Sequence, residues 1–363
     1  MSIEESFFNK IIKQSEKLGA SDIHISYNNY IGYRVQGKII KEESFGILTD
    51  QNTNILFNEM LSLLTEKNKI YIENEMRKEG IIGFGLEVKK FGIKFRVNAS
   101  SQREGYYIVM RRNEVNPPKL ETLGFYEDTL TGLKTITKKK AGIFLVVGAT
   151  GSGKSTTLAA MIREINEQYN KNIITLEDPI EYEYIPAKSL VVQKELGRDL
   201  KSFELGLKSA LREDPDIILV GEIRDYKSLD LAMKAAETGH LVFSTLHTDN
   251  TLSTIQRIVA MSENAELTRD RLSQTLLGVI AQRLEPTKSG KRIVVWEQLI
   301  LDTAIKNNIK EDHLNQVKAQ LDQTAMSQSF NKTLIQHYNN GKLTKEEILR
   351  LSSDKESIIS FLN

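Results

Sequence analysis

At 363 residues the chain is long for one domain and suits two. A 40% apolar, 27% charged composition is that of a folded globular protein, and Lys+Arg 49 against Asp+Glu 48 leaves a formal charge of +1. No global field therefore draws it onto nucleic acid or anionic lipid. Cys 0 excludes disulfides, thiolate nucleophiles and cysteine-ligated metal centres. The acidic start MSIEESFFNK lacks a secretory core, and no apolar run approaches the ~20 residues that span a bilayer. The expectation is a cytoplasmic globular protein.

In chain order, Ile3, Phe7, Ile11 and Leu18 recur at helical spacing and predict a helix over 3–18, stopped by Gly19. From Ser21 the period becomes two. Strands are predicted around Ile23 and Ile25, over Tyr30–Val35 and over Lys38–Ile40, with Gln36-Gly37 as the turn. A helix near 51–64 is followed by strands at Gly85–Val88, Ile93–Asn98 and Tyr106–Arg111. Asn116-Pro117-Pro118 breaks both patterns, because neither proline can donate a backbone hydrogen bond. This places a domain over 1–112, a linker over 113–119 and a second domain over 120–363.

The second domain has an α/β pattern. Ile143–Val147, Asn172–Leu176, Asp216–Val220 and Leu241–Leu246 are short apolar runs of the kind buried in parallel sheets. Amphipathic helices are predicted over Thr156–Gln168 and through Leu229, Ala232, Met233 and Ala236, the second stopped by Gly239. Alternating strands and helices imply a doubly wound sheet. Beyond about residue 300 the chain turns polar and helical, with Thr344 and Glu347 at capping-box spacing. Lys138–Lys140 reads as a solvated face.

Gly148-Ala149-Thr150-Gly151-Ser152-Gly153-Lys154-Ser155 fits the phosphate-loop pattern, and Thr156 follows it. The glycines let backbone N–H groups converge on a phosphate chain, and the helix behind presents its positive end. Lys154 would reach the β- and γ-phosphates of ATP, and the Ser155 hydroxyl would ligate Mg²⁺.

Ligands of open α/β sheets sit beyond the carboxyl ends of the strands. Three further predicted strands run there into Glu177, Gly221-Glu222 and His247. Nucleotide hydrolysis needs a carboxylate that orients or deprotonates water, a second in the magnesium shell, and a polar group at the γ-phosphate. Glu177 is assigned as base, Glu222 as magnesium-shell carboxylate and His247 as γ-phosphate contact. The spacing also permits the two glutamates to exchange roles. His240 flanks the same strand as His247 about 23 Å away, where an interface or structural role competes with a catalytic one.

GATGSGKSTT, ITLEDPIEY, ALREDPDIILVGEIRD and AAETGHLVFSTLHTDN resemble the Walker A, Asp-box, Walker B and His-box motifs of the secretion and pilus ATPases. GASDIHIS and KFRVNASSQREG are similar to the amino-terminal domain of that family's PilT branch. The resemblance implies an α/β fold with a RecA-like P-loop core and a parallel-dominated sheet, preceded by a small PAS-like α+β domain. It further implies a homo-hexameric motor and arginines from the first domain completing the ATP site. Candidates are Arg96, Arg103, Arg111 and Arg112, with Arg96 and either Arg111 or Arg112 favoured.

The short amino terminus and lack of cysteine suit pilus retraction. Thr303–Asn308 matches the retraction motif AIRNL only in part, and Leu277–Leu284 looks more like assembly enzymes. The resemblance implies a load in the pilus machinery, reached through an inner-membrane platform protein, and a peripheral position on the cytoplasmic face. Rotation about Asn113–Lys119 would turn site occupancy into a stroke. A nucleic-acid translocase would need a basic, aromatic-bearing groove, and no stretch supplies one.

Overall fold

The computed structural model describes residues 6–287, 290, 292–324, 326–352 and 354–362, with no side-chain account of 114 and 115. Ile3 lies outside this set. Its chain forms two compact units, divided between Glu114 and Val115.

The first unit holds helices α1 (Phe7–Leu18), α2 (Asp50–Ser62) and α3 (Glu66–Glu79), and strands β1 (Asp22–Ser26), β2 (Ile31–Val35), β3 (Lys38–Glu42), β4 (Ile81–Val88), β5 (Ile93–Ser101) and β6 (Tyr106–Arg112). Ser6 Oγ caps α1 by accepting from Asn9 N, and Gly19, at φ 61°, ends it in the left-handed conformation. The strands form one antiparallel sheet of order β3-β2-β1-β6-β5-β4. Alternation sends Ile23, Ile25, Phe95, Val97, Ile108 and Met110 into a core closed by Phe8, Ile11, Leu56 and Met60 of the helices. The opposite face carries Asp22, Arg34, Arg96 and Arg111 in one cross-strand row.

Helix α3 escapes the sequence reading because only Ile72 and Met76 of its fourteen residues are buried. Its stop and start signals are polar. Thr65 caps it and Gly80 follows it at φ 70°.

The second unit contains helices α4 (Glu127–Thr137), α5 (Lys154–Gln168), α6 (Phe203–Ala210), α7 (Tyr226–Glu237), α8 (Thr251–Ala260), α9 (Ala265–Thr275), α10 (Thr303–Lys310), α11 (Leu314–Gln320), α12 (Phe330–Asn339), α13 (Lys345–Leu351) and α14 (Lys355–Leu362). A two-residue strand β7 (Glu114–Val115) lies at the junction. The remaining strands are β8 (Gly142–Val147), β9 (Asn172–Glu177), β10 (Tyr182–Glu183), β11 (Leu190–Glu195), β12 (Ile217–Val220), β13 (Leu241–Leu246), β14 (Leu276–Pro286) and β15 (Arg292–Ile300).

Seven strands form the central sheet in the order β11-β9-β12-β13-β8-β14-β15, parallel except for β15 against β14. This is the α/β, parallel-dominated core implied by the motif resemblance. Every residue of β8 and β13 is buried. Odd and even positions feed two cores: Ile143, Leu145 and Val147 face α7 and the carboxyl-terminal helices, whereas Phe144 and Val146 face α4 and α5. Helix α5 begins at Lys154, two residues before the predicted start, and β9 extends to Glu177. Thr344 and Glu347 form a full capping box on α13, and Lys138–Lys140 are exposed.

The one tryptophan of the chain, Trp296, is fully buried on β15. Its Nε1 donates to Thr129 Oγ1 at 2.9 Å, and Phe125 meets it edge-on at 5.0 Å between ring centroids. His337 packs on the same ring at 5.6 Å. Its Nε2 lies 2.8 Å from Val294 O, and its Nδ1 lies 2.7 Å from the Tyr126 hydroxyl. Those partners fit a neutral ring that donates from Nε2 and accepts at Nδ1.

Burial depresses the His337 pKa to about 4, against the weaker opposing effect of the ring's hydrogen bond to the Val294 carbonyl. Between pH 6.5 and 4 the unfolded chain therefore binds a proton that the folded chain refuses, so stability falls as the pH drops through that window. By pH 5 the loss should reach roughly 2 kcal/mol at 1.36 kcal/mol per unit. Glu177, with its raised pKa, titrates the opposite way over the same range, so the test is a comparison. In urea unfolding followed by Trp296 fluorescence, the change in stability from pH 7 to pH 5 should be about 2 kcal/mol less favourable for wild type than for His337→Gln.

Candidate functional site

The site is assembled at the carboxyl edge of the sheet. Strands β9, β12, β13 and β8 are adjacent and in register, with Leu176 opposite Val220, Val220 opposite Ser244, and Leu246 opposite Val147. Glu177, Glu222, His247 and the phosphate loop therefore leave neighbouring strands at the same edge, in that order, with β13 and β8 running two residues past β12.

The loop's shape depends on its glycines. Gly148, Gly151 and Gly153 have φ values of 142°, 79° and 91°, where a side chain is strained. A Cβ on Gly148 would stand 2.3 Å from Gln282 O and 2.7 Å from Ser152 Oγ, so the loop is pressed against β14. From β14, Gln282 Nε2 donates to Thr157 Oγ1 at 3.0 Å, tying α5 to the strand on its other side. A cleft of about 310 Å³ is lined by Gly148–Ser152, Asp249 and Gln282–Glu285. Ser152 Oγ is buried there, with no hydrogen-bond partner among the described residues. Lys154 Nζ donates to Gly148 O and Ala149 O, each at 2.9 Å. Burial lowers its pKa, while Glu222 and Glu181 act the other way.

The two glutamates have different surroundings. Glu177 Oε1 accepts from Thr175 Oγ1 at 2.6 Å and from Gln193 Nε2 at 3.1 Å. Burial pushes its pKa up to about 7; those two hydrogen bonds restrain the rise, and Glu181 and Glu195 add to it. Glu222 instead sits in an ionic cluster. Arg224 Nε donates to its Oε2 at 2.8 Å, and His247 Nε2 lies 3.4 Å from its Oε1. Arg224 also approaches Asp178 at 3.9 Å. Beyond Glu177 the chain passes through a cis Asp178–Pro179 peptide and turns back toward α5, where the Tyr182 hydroxyl lies 3.0 Å from Thr156 Oγ1.

An exposed Ser155 hydroxyl in the first turn of α5 and the Glu222 carboxylate are hard oxygen donors of the type Mg²⁺ prefers. No group of three or more His, Cys, Asp or Glu side chains among the described residues could hold a metal.

His240 is not brought to this edge. It precedes β13 at the opposite end, where its ring Nδ1 lies 2.9 Å from Ala235 O and 3.1 Å from Thr238 Oγ1. A six-residue strand separates it from His247. Within the first unit, Arg96 and Arg111 are paired across β5 and β6 and exposed on one sheet face. Arg111 Nε donates to Asp22 Oδ1 at 2.7 Å. Arg112 is paired with Phe95, so alternation turns it to the other face, and Arg103 is exposed in the turn between the strands.

Sequence reasoning missed Thr175, Gln193, Arg224 and Gln282. Gln193 follows a short apolar run, Leu190-Val191-Val192, too brief to mark a strand by itself, and only the pairing of β11 with β9 places it opposite Thr175.

The model of the type II/IV secretion system protein family matches residues 1–360. The chain belongs to that family. It is an ATPase of the pilus and secretion type. It is 39% identical over 310 residues to the type IV pilus retractation ATPase PilT of Pseudomonas aeruginosa, covering 85% of this chain and 86% of that one. It is 33% identical over 348 residues to the type IV pilus ATPase PilU of the same organism, covering 94% and 87%. A crystal structure of the pilus retraction motor PilT with bound ADP superimposes with a TM-score of 0.88 at 40% identity, over 98% of this chain and 99% of that one. No described helix is long and apolar enough to cross a membrane.

Gly148→Ala tests the loop geometry. The added methyl must displace either Gln282 or the loop itself, so affinity for a fluorescent ADP analogue should fall at least about tenfold. Far-ultraviolet circular dichroism should stay unchanged.

Proposed function

We propose that this protein is a ring-forming ATP-driven motor that retracts a type IV pilus, with the chemistry at the shared edge of β8, β13, β12 and β9. One observation carries the chemical part: a phosphate loop and three ionisable groups leave four adjacent, in-register strands, and burial raises one of those groups, Glu177, to about 7. A carboxylate with that pKa is half ionised at neutral pH, which suits a general base.

In this reading Gly148–Thr156 cradles the phosphates of ATP and Lys154 leaves its resting carbonyl partners for the β/γ-phosphates. Glu177 orients a water and takes its proton as the water oxygen attacks the γ-phosphorus. The bond to the β-phosphate oxygen breaks in line, releasing ADP and inorganic phosphate. Mg²⁺, held by Ser155 and Glu222, would neutralise charge developing on the phosphates. His247, beside Glu222, registers the γ-phosphate. Arg96, with Arg111 as the second candidate, would supply guanidinium charge from the first domain. His240, far from this edge, is better suited to a structural or subunit-interface role.

A homo-hexamer coupled through an inner-membrane platform protein to the pilus machinery, peripheral on the cytoplasmic face, completes the proposal. Retraction is favoured by near full-length likeness to the structure described as a retraction motor. The likeness to PilU and the assembly-like Leu277–Leu284 stretch support the neighbouring reading, an assembly or accessory pilus ATPase.

Glu177→Gln should lower ATP turnover by about 100-fold or more while leaving nucleotide affinity near wild type. Lys154→Ala should lose affinity as well. Normal steady-state phosphate release by Glu177→Gln would remove the base assignment. In the native host, deleting the gene should raise surface piliation and abolish pilus shortening. Loss of pili on deletion would identify an assembly motor instead.

A further inference from the structure

We propose that Gln193 is the positioning residue of the base: its side-chain amide holds one carboxylate oxygen of Glu177 and the Tyr182 carbonyl together. This inference rests on Glu177 being the base.

The geometry begins with the edge strand β11, paired in parallel with β9 so that Gln193 stands opposite Thr175 and Glu195 opposite Glu177. Gln193 Nε2 donates to Glu177 Oε1 at 3.1 Å and to Tyr182 O at 2.8 Å. Both partners are acceptors only, so the amide must present its nitrogen to them, and a carboxylate at 193 could serve neither. The same strand grips the rest of the turn. Leu196 N donates to Glu177 O at 2.8 Å, and Ile180 N donates to Glu195 Oε2 at 3.2 Å. Segment 177–182 is thus moulded on β11, and its last residue meets the phosphate-loop helix through the Tyr182 hydroxyl and Thr156. Gln193 thus touches both ends of this segment. It can keep the base's remaining oxygen aimed while the turn follows movements of α5.

Glu177 also sits in an anionic neighbourhood. Glu181 on its own loop and Glu195 on β11 are the carboxylates that act on it, the Tyr184 phenol beyond is kept un-ionised by burial, and Asp178 beside it is approached by Arg224. Thr175 and Gln193 are the donors that favour its ionised form. Losing one donor to the charged form moves the titration upward by about one pH unit.

The test is the pH profile of ATP turnover for wild type, Gln193→Ala and Gln193→Glu, with the carboxyl ¹³C shift of Glu177 titrated in the nucleotide-free proteins. The wild-type acidic limb should centre near pH 7. Gln193→Ala should move it up by about one unit, lowering turnover about fivefold at pH 7 but less than twofold at pH 9. The near-isosteric Gln193→Glu, which adds a like charge, should move it further, and both carboxyl titrations should shift in step. Superimposable profiles, unshifted carboxyl titrations or an equal loss at every pH would overturn the proposal. Glu177→Gln separates the two readings: full turnover by that variant refutes the base, whereas an inactive Glu177→Gln beside an unshifted Gln193→Ala refutes only the positioning role.

Discussion

Everything at the candidate site follows from the common register of four parallel strands. Because β9, β12, β13 and β8 run parallel and finish within about two residues of one another, a phosphate loop, an imidazole and two carboxylates collect along one edge without long loops to carry them. Parallel ladders need crossover helices, and those helices bury both faces of the strands, which accounts for their uninterrupted apolar sequences. A slip of one residue in β12 or β9 would exchange the two faces and turn each terminal side chain away. The Gly221 N to Leu176 O bond at 2.7 Å continues the ladder one step past β12 and holds Glu222 at the rim.

Two chemically identical side chains acquire different character from their surroundings. Glu177 is withdrawn from water among other carboxylates and receives only neutral donors, so its proton is held more tightly. Glu222 faces the guanidinium of Arg224 and the ring of His247. The proposed hydrolysis, with Glu177 as base and Glu222 toward Mg²⁺, draws on that difference in surroundings. Fully solvated carboxylates could not provide it.

The first unit shows the same economy of pattern. One face of its sheet is aliphatic and aromatic and closes on three helices; the other sets Arg34, Asp22, Arg111 and Arg96 in a row. Asp22 is almost fully buried beneath two of these arginines, and Arg111 holds its carboxyl below the usual range against the opposing effect of burial. Arg96 makes no ion pair among the described residues and stands exposed beside Arg111. Alternation separates Arg112 from both, a distinction invisible in the adjacent pair of arginines.

Local chemistry determined a large share of this protein. The phosphate loop, the strands β8, β12 and β13, the Gly19 stop and the Thr344 cap are written in short stretches whose conformational preferences need no distant partner. Contacts between distant residues decided the rest. Helix α3 buries two side chains, and β11 is an edge strand whose Leu190 is 72% exposed, so neither shows the apolar period that marks an element from sequence. Gln193 acquires meaning only from the strand beside it, Gln282 only from the loop pressed against it, and His240 was separated from the site by the direction of β13. Hydrogen-bond partners and burial are properties of three-dimensional neighbours. A linear pattern can nominate a carboxylate; only the packed structure sets how tightly it holds its proton.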